Sequence, residues 1–394
     1  MNLEEARLSS GQYSRYWHPK LKRLIIGDFG ALMSYNRFLA IKRCLHFVDN
    51  ATLPVNPSRL DKIMPIVEHL NNRFSSFYTL EQHVAIDESL LLWKGRLTFS
   101  QKIATKKARV GIKTYELCES RTGYLWRMEV YTGKGATSQI VLTLMRPLFN
   151  RGHTLVMDNF YNAPLLSQLL KVKHNTDTMG TLRINREFVP EGLRKKAKTN
   201  MRSGEVAFHS TKDLNVVVWM DKNLVSMIST YHGTKVARIE RYGYYKYKPQ
   251  VVLDYNLSMG GVDHKDQMLN AYPIERLRNM IWYKKLFRRL LNVSIHYAFV
   301  IFNHNRTQAL GNREFRLQLA DELLEVACPK AVPRRVRAVP TPERTQMHLP
   351  AKNERPQRCK WCSKAKVRRT TVWRCNSCAV NLCLEGCYME YHNQ

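Results

Sequence analysis

His153–Leu170 reads HTLVMDNFYNAPLLSQLL. The apolar run Thr154–Met157 ends on Asp158–Asn159, and Leu165, Leu166, Leu169 and Leu170 then recur at helical spacing. A buried strand that stops at an acid and turns into a helix has this pattern. Asp158 is thereby placed at the carboxyl end of a strand, where α/β proteins put ligands and chemistry. The alternative is that Asp158 or Asn159 caps the helix.

Upstream, His83–Leu92 (HVAIDESLLL) alternates, with Val84 and Ile86 on one parity and Asp87 and Ser89 on the other. A carboxylate in mid-strand runs against propensity and needs a solvated face or a function. Tyr115–Ser120 and Tyr124–Tyr131 read as two strands joined by the turn Arg121–Gly123, and Thr137–Phe149 as a helix. Residues 81–173 are therefore expected to run β–β–β–α–β–α. Between the first two strands, Lys102, Lys106, Lys107, Arg109 and Lys113 form a basic loop that suits a nucleic-acid cleft or, more plainly, solvent.

Asp177–Ile184 reads as a further strand and Arg186–Lys198 as a basic loop. Gly204–His209, Val216–Met220 and Leu224–Thr230 read as short strands of a β-rich insertion. Arg238–Lys248 (RIERYGYYKYK) interleaves tyrosines with Arg241, Lys246 and Lys248, which suits backbone contact plus base stacking. Leu257–Tyr272 opens on paired glycines and becomes helical, with Asp263 and Asp266 three apart on one face. Acids favouring a helix N-terminus would look the same. Ile281–Phe302 and Arg313–Val326 are expected to be packing helices, as are Ala31–Phe47 and Leu60–Phe77 near the start.

The chain carries 63 Lys+Arg against 32 Asp+Glu, a net charge of +31. Such an excess repels itself unless a polyanion is the partner, and a phosphate backbone is the usual one. No run approaches the roughly 20 apolar residues of a membrane span, and the acidic, polar start MNLEEARLSS is not a signal peptide. The nine cysteines are thus not expected to form a disulfide framework. Cys44, Cys118 and Cys328 are scattered and read as structural. Cys359-x-x-Cys362 and Cys375-x-x-Cys378, followed by Cys383, Cys387 and His392, have the spacing of tetrahedral Zn²⁺ sites. Seven ligands leave two arrangements open: one ion, or two interleaved ions with one ligand unidentified. Pro329–Pro356 reads as a flexible basic linker that could also serve as a nuclear-localisation tract.

Asp87 in mid-strand, Asp158 at a strand end and Asp263 at a helix start occur in the order in which an RNase H-like fold presents its acids. Cutting a phosphodiester is served by two divalent ions about 4 Å apart, one on the attacking and one on the leaving oxygen. Mg²⁺ takes hard oxygen ligands, which explains the choice of aspartate.

The sequence resembles the piggyBac-type transposases from about Tyr35 to its end. The resemblance is carried by Ala85–Ile86–Asp87–Glu88, Lys94–Gly95–Arg96, Gly111–Ile112–Lys113, Thr122–Gly123–Tyr124 and Tyr131–Thr132–Gly133. It continues through Asp158–Asn159–Phe160–Tyr161, Gly180–Thr181–Leu182–Arg183, Trp219–Met220–Asp221, Met259–Gly260–Gly261–Val262–Asp263, Asp266–Gln267 and the cysteine block. It implies an α/β, RNase H-like catalytic core with an insertion, flanking helical DNA-binding parts and a small cysteine-rich Zn²⁺ domain that reads terminal repeats of double-stranded DNA. It implies Mg²⁺- or Mn²⁺-dependent cleavage, hairpin formation and strand transfer at TTAA, with Asp87, Asp158 and Asp263 on the metal ions and Asp266 at an additional acidic position. A homodimer in the nucleus is expected. The sequence departs from the family in a short N-terminal region, in lacking a proline near Thr105 and in showing seven rather than eight zinc ligands. The first of these keeps open a domesticated, non-catalytic DNA-binding derivative. The expected divisions are 1–80 helical, 81–185 first part of the core, 186–256 insertion, 257–328 completion of the core, 329–356 linker and 357–394 cysteine-rich domain.

Overall fold

The computed structural model describes residues 29–103, 110–133, 135–198, 201–241, 243–275, 280–304, 306–327 and 348–392. It divides into two compact units, Met1–Asp321 and Glu322–Gln394.

The first unit is built on one nine-stranded sheet. β1 (His83–Leu92) pairs antiparallel with β3 (Val110–Glu119). β3 carries on its other edge the two-residue β2 (Gln101–Lys102) and β4 (Leu125–Val130). The chain then crosses over through α3 (Thr137–Met145), so that β5 (Thr154–Met157) lies parallel to the free edge of β1. A second crossover, α4 (Pro164–His174), sets β6 (Asp177–Thr181) parallel to β5. Parallel neighbours require such crossovers, whereas β1, β3 and β4 need only turns.

β7 (Val206–Ser210), β8 (Asn215–Met220) and β9 (Leu224–Ser229) are not a separate insertion in hydrogen-bonding terms. β9 pairs antiparallel with β6 and extends the same sheet. Nor is 186–198 a loop throughout. α5 (Glu191–Lys198) starts just after Pro190 and buries Leu193 beside Val216, Val218 and Ile228. β10 (Val236–Arg241) and β11 (Tyr244–Pro249) form a hairpin apart from the sheet.

Strand parity decides what each face of β1 meets. Val84 and Ile86 enter the main core beside their strand partners Leu155, Met157 and Leu117; that core also takes in Phe74 of α2 (Met64–Phe77) and Leu286, Leu290 and Tyr297 of α8 (Trp282–His304). Ala85, on the opposite face with Asp87 and Ser89, packs with Val156, Met179 and the Val251–Val252 pair of α6 (Gln250–Ser258). α7 (Gly261–Ala271) follows on that same face, because Ser89 of β1 bonds to its Asp266. Outside this core, α1 (Tyr35–Cys44) starts on an N-cap bond from the Arg37 N–H to Ser34, and α9 (Asn312–Ala327) buries Phe315.

The paired glycines mark a close approach. A Cβ on Gly261 would sit 2.7 Å from the Glu119 carbonyl oxygen at the end of β3. Gly123, with φ +70°, would meet Gly261 O at 2.9 Å. No atom lies within 4 Å of a Cβ on Gly260. Gly261→Ala should therefore lower stability by about 1–3 kcal/mol through overpacking, and Gly260→Ala should change it far less. Denaturant unfolding midpoints of the two variants check the contrast; equal midpoints would contradict the close packing.

Candidate active site

The last residues of β5 paired with β1 are Met157 and Ile86. Asp158 and Asp87 come next on neighbouring parallel strands, whose backbones run about 4.8 Å apart. Both are partly exposed. Asp158 does not cap α4, which begins at Pro164 with Ala163 as N-cap and no side-chain cap bond. Its Oδ1 instead accepts from the Phe160 N–H at 2.9 Å, closing its own turn. Burial raises its pKa; the Phe160 and Tyr161 N–H groups and Arg183 oppose this, Glu88 adds to it, and the result is upward. On α6, Tyr255 is pushed up to about 12, first by burial and then by Asp158 and Asp87 together. A site of adjacent hard oxygen donors with an upward-shifted carboxyl fits a divalent cation, which would balance its charge.

Asp263 stands exposed in the first turn of α7. Asp266 is differently placed. Both its oxygens accept from the Ser89 hydroxyl, at 3.0 and 2.9 Å. Its Oδ1 also meets Arg289 at 2.7 Å and Lys265 at 3.1 Å. Burial pushes its pKa up, but Lys265 and Arg289 outweigh that and hold it low. Lys265 has no exposed surface and pairs in addition with Glu116 of β3, the residue directly opposite Asp87.

In the second unit, β12 (Pro350–Arg358) pairs with β13 (Thr370–Cys375), flanked by α10 (Lys360–Lys364) and α11 (Cys387–His392). The linker expected over 329–356 thus gives way to a strand at Pro350; its part up to 347 lies outside the described residues. Two sets of four ligands are assembled here: Cys359, Cys362, Cys383 and Cys387, and His348, Cys375, Cys378 and His392. In each, the ligand atoms all lie within 4.8 Å of one another. Cys362 Sγ is 3.5 Å from Cys387 Sγ and 4.0 Å from Cys383 Sγ. A tetrahedron with metal–sulfur bonds of about 2.3 Å has edges of about 3.8 Å. In the second set, Cys378 Sγ lies 3.2 Å from His348 Nδ1 and 3.6 Å from His392 Nε2. His392 Nδ1 donates to the Tyr388 carbonyl at 2.7 Å, which turns Nε2 toward the cluster. Among the described residues no other group of three or more acids, cysteines or histidines is drawn so close. The aspartates therefore make no closed cage.

Residues 5–299 match the family model described as Transposase IS4. The chain belongs to the piggyBac-type transposase family. Two human relatives, PiggyBac transposable element-derived protein 3 and the Chimeric ERCC6-PGBD3 protein, are each 26% identical over 92% of this chain. The chain spans 64% and 36% of their respective lengths. The cryo-EM structure of the piggyBac transposase synaptic complex with hairpin DNA matches with a TM-score of 0.70 at 23% identity, covering 93% of this chain and 81% of that one. The chain has a mixed α/β fold similar to that structure. No helix among the described residues is long and apolar enough to cross a membrane.

The basic residues expected at DNA are dispersed in this family member. Lys102 is exposed at the end of β2, while Lys106, Lys107 and Arg109 lie outside the described residues. Lys113 is only 8% exposed, with its ammonium 4.5 Å from the Tyr115 ring centre and 4.8 Å from that of Phe160. A lysine held against aromatic faces in this way is not presented to a phosphate from the surface. Arg241 closes β10. Lys246 is exposed and paired with Asp221, and Lys246 and Lys248 both stand within 6 Å of the Trp219 ring centre. His348, which completes the second set of four, was not among the seven candidates expected from the sequence. The odd count of seven was the one signal pointing to it. Metal analysis of purified His348→Ala protein should find one of two tightly held ions lost, while Cys362→Ala should cost the other. Two ions retained in the His348 variant would remove it from the ligand set.

Proposed function

We propose that this family member is a DNA transposase of RNase H-like type, cutting and joining double-stranded DNA at TTAA sites with Mg²⁺ or Mn²⁺. The observation that carries the reading is the placement of Asp87 and Asp158 on adjacent parallel strands at the carboxyl end of β5, with α7, which bears Asp263, tied to the same face through Asp266 and Ser89. These three carboxylates would hold the ions, which supply charge stabilisation to the attacking and leaving oxygens of a phosphoryl transfer. The chain itself contributes rigid placement: two donors come from hydrogen-bonded strands and one from a helix packed on them. In the first step a water oxygen bonds to phosphorus and the 3′-oxygen leaves, taking up a proton. The freed 3′-hydroxyl then attacks a phosphorus of the opposite strand, closing a hairpin as the 3′-oxygen of the flanking nucleotide leaves and takes up a proton. Hydrolysis of the hairpin regenerates the 3′-hydroxyl, which attacks a target phosphorus and displaces that strand's own 3′-oxygen.

The +31 charge supports a DNA partner. In the second unit, Zn²⁺ fits both clusters, as all their donors are sulfur or imidazole nitrogen. Closed sites of this kind are structural, and reading of the terminal repeats by this unit is what the resemblance to the family implies. Action as a homodimer in the nucleus belongs to the same proposal. A non-cutting DNA-binding derivative is the second reading, favoured by the "transposable element-derived" name of the relative.

The test is a Mg²⁺-dependent nicking assay on DNA with TTAA-flanked ends, run beside Asp158→Ala. Nicks and hairpins from the parent, reduced at least 100-fold in the variant while its DNA binding is unchanged, are expected. End-specific binding without nicking in either protein would support the derivative instead.

A further inference from the structure

Asp266 lies one helical turn beyond Asp263, and Ser89 lies two residues beyond Asp87 on the same strand face. The Ser89–Asp266 bond therefore ties together the two elements that carry those two acids. Three contacts fix the direction of α7. Gly261 rests against Glu119, whose β1 partner is Val84; Lys265 reaches Glu116, opposite Asp87; and Asp266 reaches Ser89. The helix thus runs the same way as β1.

Rotation follows from the same contacts. Residues advance about 100° each round an α-helix. From Lys265, Asp266 is turned by about 100° and Asp263 by about 160° in the same sense. Lys265 faces β3 and Asp266 faces β1, and the sheet order is β3–β1–β5. Asp263 is consequently swung further in the direction of β5, which ends at Asp158.

We propose that Asp266, with Ser89, Lys265, Glu116 and Arg289, is a positioning latch that aims Asp263 at the metal site, and that Asp266 is not itself a metal ligand. Its Oδ1 already accepts from a hydroxyl, an ammonium and a guanidinium. A divalent ion in contact with that carboxylate would stand beside two cations already in place, which it would be repelled by. The latch is also closed on the far side: Arg289 pairs with Glu275 at 3.2 Å, and Lys265 with Glu116. Every charge in it is thereby matched within the fold. This inference rests on the reading of Asp87, Asp158 and Asp263 as the cation site.

Mn²⁺ binding to the whole chain, prepared with Zn²⁺ and followed by electron paramagnetic resonance, separates the roles. Asp263→Asn should reduce the number of tightly bound Mn²⁺ ions. Asp266→Asn and Ser89→Ala should leave the number unchanged and weaken binding by about 10- to 100-fold, the usual effect of removing a group that orients a ligand, with excess Mn²⁺ restoring occupancy. Ser89→Ala leaves both cations paired with Asp266 and so decides the matter even where Asp266→Asn does not fold. A purely structural latch would lower the melting temperature of Ser89→Ala with no change in Mn²⁺ affinity, and that result overturns the proposal. So does loss of an ion in Asp266→Asn with normal affinity in Ser89→Ala. If Asp87→Asn and Asp263→Asn both bind Mn²⁺ as the parent does, it is the underlying cation site that fails, and the latch with it.

Discussion

A lysine ammonium with no exposed surface must be matched by carboxylates, and Lys265 is matched by two. Burying an ion pair is not in itself a strong source of stability, because desolvation offsets most of the attraction. What it supplies is intolerance of error: shift α7 by one residue and a buried charge is left unpaired, at a cost of about 3–5 kcal/mol. The chain from Glu116 through Lys265, Asp266 and Arg289 to Glu275 thus restricts β3, β1, α7 and α8 to one mutual arrangement. Gly261 and Gly123 permit the approach that lets the chain close, since any side chain at Gly261 would meet the Glu119 carbonyl.

The same constraint separates two kinds of acid that look alike in the sequence. Asp263 and Asp266 share a helix and a residue type, yet one is exposed in the first turn and the other is held by two cations. Asp158 differs again, with its pKa raised by burial and by Glu88 beyond what two N–H groups and Arg183 recover. The neighbours of each aspartate show this difference, and its place in a motif does not.

This explains how much could be read in advance. The strand period of His83–Leu92 and the apolar run before Asp158 are local, and both strands lie where that periodicity places them. The parallel register that seats Asp87 beside Asp158 is set by α3 and by a core assembled from distant segments, so no local pattern contains it. Likewise, 186–256 shows its strands but not that β9 hydrogen-bonds to β6. Leu165 illustrates the limit of periodicity within one helix: it shares the leucine repeat of α4 but is 54% exposed, while Leu166 and Leu170 are buried. Lys113 was legible as a positive charge and not as a buried one, because the rings that enclose it come from Tyr115, Tyr131 and Phe160 on different elements.

His348 was hidden for a related reason. A lone histidine among prolines and arginines carries no periodic signal, and it is separated by ten residues from Cys359, which belongs to the other cluster. Along the chain the second set supplies the first and last ligands, and its middle pair falls between the two pairs of the first set. Neither cluster can be completed without the chain having been threaded through the other. The apolar core of this unit consists largely of the ligands themselves, with Cys359, Cys362 and Cys375 buried against Leu382 and Tyr388. So small a core cannot offset the entropy of ordering the segment, and ions held at the two clusters would supply what it lacks. Because the two sets interleave, each would hold the end of a different strand: Cys359 of the first set follows β12, and Cys375 of the second closes β13.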